Sequence, residues 1–124
     1  MRTPVSTPDA PQAIGPYSQA IKANGFVFVS GQTPMDASGK VTATDIGAQT
    51  AQALANISAI LKAAGSSIEK VVRCGVFLKN MADFAEMNAV YGKHFQQPYP
   101  ARTTIEAARL PKDVLVEIDV VAVE

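Results

Sequence analysis

Along the 124 residues the spacing of hydrophobic and polar positions changes several times, and the changes mark out the elements. Residues 1–16 carry Pro4, Pro8, Pro11 and Pro16 with no sustained period, which predicts a loop that turns sharply at Gly15-Pro16. From Tyr17 to Gly31, two β-rich runs are split by Asn24-Gly25, the dipeptide best suited to a two-residue hairpin turn. The second run, Phe26-Val27-Phe28-Val29, leads into Ser30-Gly31-Gln32. A turn there leaves backbone amides and a hydroxyl pointing outward. Residues 34–44 read as a loop.

A helix is expected from Thr44 or Asp45 as N-cap to a point before Gly65. Ile46, Ala53, Leu54, Ile57, Ile60, Leu61 and Ala64 share one face at helical spacing, while the rest is Gln, Thr, Ser, Ala and Asn. Val71 to Leu78 is apolar on both faces and predicts a strand, with a cap signal at Asn80. A second helix follows from about Met81 to Phe95, burying Phe84, Met87, Tyr91 and Phe95, with Asn88 on or beside that stripe. Pro98 and Pro100 stop it and enforce an extended entry to the last stretch. There, two β-rich runs flank residues 109–113 and predict a hairpin with a longer loop.

The order is therefore β-β-α-β-α-β-β, an α+β arrangement in which two helices cover one face of a single sheet. In the last run Val114, Val116, Ile118, Val120 and Ala122 form a wholly apolar face. The opposite face carries Leu115, Glu117, Asp119, Val121 and Val123 and has no cover from its own chain. So large an exposed apolar patch predicts a homo-oligomer packed through that face.

Composition narrows the picture. Hydrophobic residues make up 48% and charged residues 18%, the balance of an ordinary globular chain expected to form one domain. The 11 basic and 11 acidic residues cancel without any run of one sign, which argues against nucleic acid or an acidic membrane as partner. No apolar segment approaches the ~20 residues of a membrane span. The first residues have no apolar core, so no secretory signal is expected. A single cysteine, Cys74, forbids an internal disulfide and suits a reducing, cytoplasmic compartment. With one Cys and the single histidine His94, a zinc site has too few ligands. His94 lies where it complements a helix C-terminus, and Cys74 reads as a small buried hydrophobe.

Candidate chemistry centres on Arg102 and Glu117. Carboxylates interrupting an apolar strand are costly to bury unless partnered, and Arg102 opens the preceding run. A planar guanidinium offers bidentate, oriented binding of a carboxylate, and a glutamate on a rigid strand can accept a proton from water. Burial raises the glutamate's pKa while a neighbouring arginine lowers it. A simple loop at residues 109–113 puts the two on opposite faces of a hairpin, so either a bulge shifts the register or they meet across a subunit boundary. The alternative for the pair is an ion pair that only bridges subunits. Glu106 and Arg109 read as rim salt links.

Three stretches stand out together: residues 10–20 (APQAIGPYSQA), residues 30–34 (SGQTP) and residues 100–118 (PARTTIEAARLPKDVLVEI). They closely resemble the Rid (YjgF-like, reactive intermediate deaminase) family in its RidA branch, over essentially the whole chain. The resemblance implies a chorismate-mutase-like fold assembled as a trimer with sites at the subunit interfaces. It also implies hydrolysis of 2-imino acids and their enamine tautomers, released by pyridoxal-phosphate dehydratases, to 2-keto acids and ammonia. By position, Arg102 matches the carboxylate-binding arginine and Glu117 the glutamate that positions or activates water. Tyr17, Ser30, Gly31 and Asn88 match residues lining the same pocket. Thr104 departs from the cysteine many members carry, at a place where the family uses mainly the backbone amide. No cofactor is expected, because the C=N bond is already electrophilic. Two competing readings are a non-enzymatic binder of small carboxylates or 2-keto acids, and a ribonuclease that inhibits translation, as some members are described.

Overall fold

The computed structural model describes residues 1–124. The chain runs β1 (Arg2–Val5), β2 (Ala20–Ala23), β3 (Phe26–Gln32), α1 (Ile46–Ala63), β4 (Val71–Leu78), α2 (Phe84–His94), β5 (Ala101–Glu106) and β6 (Val116–Val123). Short 3-10 turns stand at Ile68–Lys70, Met81–Asp83 and Pro111–Asp113. All six strands form one mixed sheet in the order β1-β2-β3-β6-β4-β5, with both helices on one face.

Local chemistry accounts for most of these elements. Asn24 (φ 51°) and Gly25 (φ 84°) both occupy the left-handed region, which lets β2 and β3 close on a two-residue turn. The Asp45 carboxylate caps α1 by accepting from the Ala48 N–H. At its far end the Ser66 N–H donates to Leu61 O at 2.8 Å and the Gly65 N–H to Lys62 O at 3.0 Å. Gly65 adopts φ 81° there, the left-handed residue this ending requires. Every apolar residue predicted on the α1 stripe is buried, at 5% exposure or less. Val116, Ile118, Val120 and Ala122 of β6 face them from the sheet, and each buried valine or isoleucine contributes about 1.5–3 kcal/mol.

Three expectations need correcting. The final stretch is not a hairpin: β5 lies parallel to β4, and β6 inserts between β3 and β4. The α2 crossover supplies the long connection that parallel strands need, while Leu110 is buried within the segment taken for a turn. The proline-rich N-terminus is not all loop, because Arg2–Val5 pairs with β2 at the sheet edge. Pro4 is tolerated there, since an edge strand has one row of amides to spare. Phe84 is not in the core but 39% exposed, because the chain first makes the 3-10 turn at Met81–Asp83 and α2 begins later. The predicted cap at Asn80 does form, its side chain accepting from the Ala82 N–H of that turn.

The sheet face away from the helices is bare, as expected. Phe26 (37%), Phe28 (46%), Ile105 (45%) and Val123 (36%) are exposed large hydrophobics on it or its rim. Glu117 and Asp119 stand half-buried among them. No helix is long and apolar enough to cross a membrane.

Candidate functional site

Strand register decides where the two central side chains lie. Arg102 pairs with Cys74 on β4, and Cys74 pairs with Val120 on β6, so Arg102 belongs to the helix-covered face. Glu117 pairs with Phe77 and alternates with buried Val116 and Ile118, which places it on the bare face. Within one chain the two therefore occupy opposite sides of the sheet. Of the two arrangements left open in sequence, a bulged hairpin that puts them on one face is excluded, because β5 and β6 are not neighbours.

On the bare face, Glu117 sits at the mouth of a cleft of about 130 Å³ that it shares with Tyr17 and Gly31, and with Gln12, Ile14 and Lys112 among others. Val29 pairs with Val120 and Gln32 with Ile118, so Ser30 and Gly31 together oppose the single residue Asp119 in a β-bulge. The bulge brings Gly31 against Glu117, and a Cβ built on Gly31 would collide with the Glu117 carboxylate. Only glycine leaves room for that side chain to lie over the strand. Burial, then the neighbouring Asp119 charge, raises the Glu117 pKa above its ordinary value. No cation of the same chain pairs with it, since the ion pairs are Lys22–Glu124 and Arg109–Asp113.

Buried amides hold the loops that frame this cleft. The Gln19 side chain accepts from the Thr7 N–H (2.7 Å) and donates to Pro11 O (2.8 Å), tying down the segment that carries Tyr17. Asn56 of α1 donates to Met35 O (2.8 Å), and Gln49 accepts from the Leu115 N–H (2.8 Å). Ser30 differs from expectation. Its hydroxyl donates to Ser18 O (2.6 Å) and its amide to Gln19 O (3.0 Å), so both serve the loop. Tyr17 is 52% exposed at the rim.

Arg102 lies half-buried near the edge of the sheet, stacked on aromatic rings of α2. Its guanidinium carbon is 4.7 Å from the Tyr91 ring centroid and 5.6 Å from that of Phe84. No carboxylate of the chain pairs with it. Thr104 follows on the same face with its hydroxyl buried and unpartnered. Asn88, half-buried, stands between Phe84 and Tyr91 on the helix. Cys74 lies beneath, fully buried, and burial pushes its thiol pKa up, which removes it as a nucleophile. His94 Nδ1 faces Val90 O at 3.0 Å near the helix end. Arg109 pairs with Asp113 at 3.0 Å on the surface, while Glu106 accepts from the Met81 N–H at 2.8 Å and so caps a turn.

The seven candidate residues thus fall into two groups: Tyr17, Ser30, Gly31 and Glu117 on the bare face, and Asn88, Arg102 and Thr104 at the β5 edge. A larger cavity, about 500 Å³ between residues 68–72, 93–100 and Val123, contains none of them. Sequence reasoning missed the aromatic seat of Arg102, because Phe84 and Tyr91 fit a core stripe equally well. It also missed Gln19, whose one signal was its place beside inward-facing Ala20.

Comparison with known proteins places the chain. A RutC family protein of Pyrococcus horikoshii is 51% identical over 123 residues, 98% of either chain. The 2-iminobutanoate/2-iminopropanoate deaminase of Salmonella typhimurium is 43% identical, over 99% of this chain and 98% of its own. Among solved structures, the E. coli YjgF product matches with a TM-score of 0.91 at 41% identity, and E. coli TdcF with bound serine with 0.92 at 38%, each over 98% of both chains. Residues 7–124 match the family described as Endoribonuclease L-PSP. The chain belongs to that family, which takes in the YjgF and Rid proteins.

Proposed function

We propose that the protein hydrolyses 2-imino acids and their enamine tautomers to 2-keto acids and ammonia, in sites built between copies of the chain. One observation carries this reading. Arg102 has no anion and Glu117 no cation in their own chain, and the sheet holds them on opposite faces. A cyclic assembly, a trimer by the family resemblance, brings the β5 edge of one copy against the bare face of the next. The exposed Phe26, Phe28 and Val123 supply apolar area for that contact. The deaminase named among the relatives and the serine-bound TdcF support a small amino-acid-like ligand.

In the assembled site Arg102 holds the substrate carboxylate through two parallel N–H donors, with Asn88 and the Thr104 amide beside it. Glu117 takes a proton from water as the water oxygen bonds to the C=N carbon, the π pair passes to nitrogen, and Glu117 hands that proton on to the nitrogen. The resulting carbinolamine collapses. Glu117 takes the hydroxyl proton, the carbonyl forms, and the C–N bond breaks as the nitrogen receives that proton and leaves as ammonia. Imine plus water becomes keto acid plus ammonia, with no change of oxidation state. Burial helps by bringing the Glu117 pKa closer to neutrality. Tyr17 and Ser30 line the side where the amine departs. The supply comes from pyridoxal-phosphate dehydratases, and we place the protein with them in the cytoplasm.

The test couples the purified protein to a threonine or serine dehydratase. Keto acid appears faster with the wild type, and Arg102→Ala removes the gain, a loss of about 100-fold or more in turnover at limiting imine. No acceleration by the wild type rejects the reading. The family description includes the word endoribonuclease, but a chain with balanced charge offers RNA little electrostatic attraction. RNA cleavage lost in Arg102→Ala would move the activity to that substrate.

A further inference from the structure

The chain has two buried side-chain polar atoms without a hydrogen-bond partner, the hydroxyls of Tyr91 and Thr104, and both belong to residues beside Arg102. A native core seldom retains such a group without a reason outside the fold. Tyr91 is 6% exposed, its ring packed on Phe95 at 4.5 Å between centroids. A phenylalanine would satisfy that packing without stranding a hydroxyl. Burial, then the adjacent Cys74 thiol, keeps the phenol protonated far above neutral pH.

Arg102 lies over the face of this ring at 4.7 Å, with no anion of its own chain to orient it. A guanidinium carries five N–H donors, and contact with an aromatic ring leaves most of them uncommitted. Two suffice for a bidentate carboxylate, which leaves others to be satisfied in a desolvated site. The phenol oxygen, unpartnered within the fold, stands close enough to Arg102 for the guanidinium to offset part of the rise in its pKa, and a guanidinium tilted off the ring turns one donor to it.

We propose that Tyr91 is the positioning residue of Arg102: its ring seats the guanidinium, and its buried hydroxyl accepts a donor that the ligand carboxylate leaves free. The inference rests on Arg102 being the carboxylate anchor of the proposed function. It assigns the stranded hydroxyl to ligand binding and not to stability.

Tyr91→Phe tests it. The variant keeps the ring and the packing, so its melting temperature should hold or rise. Its affinity for 2-oxobutanoate, measured by calorimetry, should fall about fivefold, the effect of one lost hydrogen bond. KM for imine should rise by a similar factor while kcat stays within about twofold. In an Arg102→Lys background the same substitution should change nothing, because lysine has no planar fork to orient. Exposed Phe84→Ala, which leaves the core intact, should weaken binding less than Tyr91→Phe. Wild-type affinity in Tyr91→Phe, with the wild type binding, overturns this inference and leaves the function standing. A wild type that binds no 2-oxo acid and turns over no imine overturns both.

Discussion

Two opposing influences set the acid strength of Glu117. Burial and the Asp119 charge raise its pKa within the chain, and the proposed guanidinium of a second copy lowers it. Removing that guanidinium exposes the first influence. In an Arg102→Ala background the folded state then holds the Glu117 proton more tightly than the unfolded state does. Keeping the group ionised destabilises the fold as pH rises through the ordinary value of 4.5, and the full cost is present above the folded pKa. In that background Glu117→Gln should melt higher near neutral pH, and the gap should close as pH falls below the ordinary glutamate range. Melting curves across pH read it directly, and a gap that persists in acid contradicts it. The two residue types were legible in sequence because a carboxylate in an apolar strand and an arginine after a proline-locked entry are both unusual. Their faces were not legible, because the sequence suggested a hairpin between two strands that in fact each pair with β4. Nor was the stranded Tyr91 hydroxyl, since a tyrosine on an apolar helical stripe looks like any other core aromatic.

At the scale of elements, short-range chemistry was readable and long-range pairing was not. The Asn24-Gly25 turn, the Asp45 cap and the Val71–Leu78 strand depend on neighbours within a few residues. The place of β6 between β3 and β4 depends on which partner buries its apolar face best, and adjacency in sequence suggested β5 instead. The bulge at Ser30-Gly31 was also hidden, because the same dipeptide serves a turn equally well. It matters to chemistry, because it is where β3 makes room for the Glu117 carboxylate. Gly31→Ala should displace that carboxylate without unfolding the sheet, since the group that must yield is the end of a flexible side chain. Imine turnover should fall about 10- to 100-fold, the effect of misplacing a reacting group by roughly 1 Å, with little change in melting temperature. Undiminished turnover in this variant would count against Glu117 as the group acting on water.

For the whole molecule, the sheet is covered on one side only, and each chain carries half of what the proposed chemistry needs on each side. On the proposed function a single chain is incomplete, and its bare face and β5 edge supply the two halves of one site. That is the central claim, and mixing two inactive variants tests it. Arg102→Ala and Glu117→Gln proteins should each be inactive for imine hydrolysis. Unfolded together in equal amounts and refolded, they form mixed rings in which some sites draw Arg102 from one variant and Glu117 from the other. The account predicts recovery of about a quarter of wild-type turnover, the share of boundaries in a random ring where both intact residues meet. If mixed rings form, as shown by native mass spectrometry, and turnover stays at the level of the separate variants, then Arg102 and Glu117 do not share a site between copies.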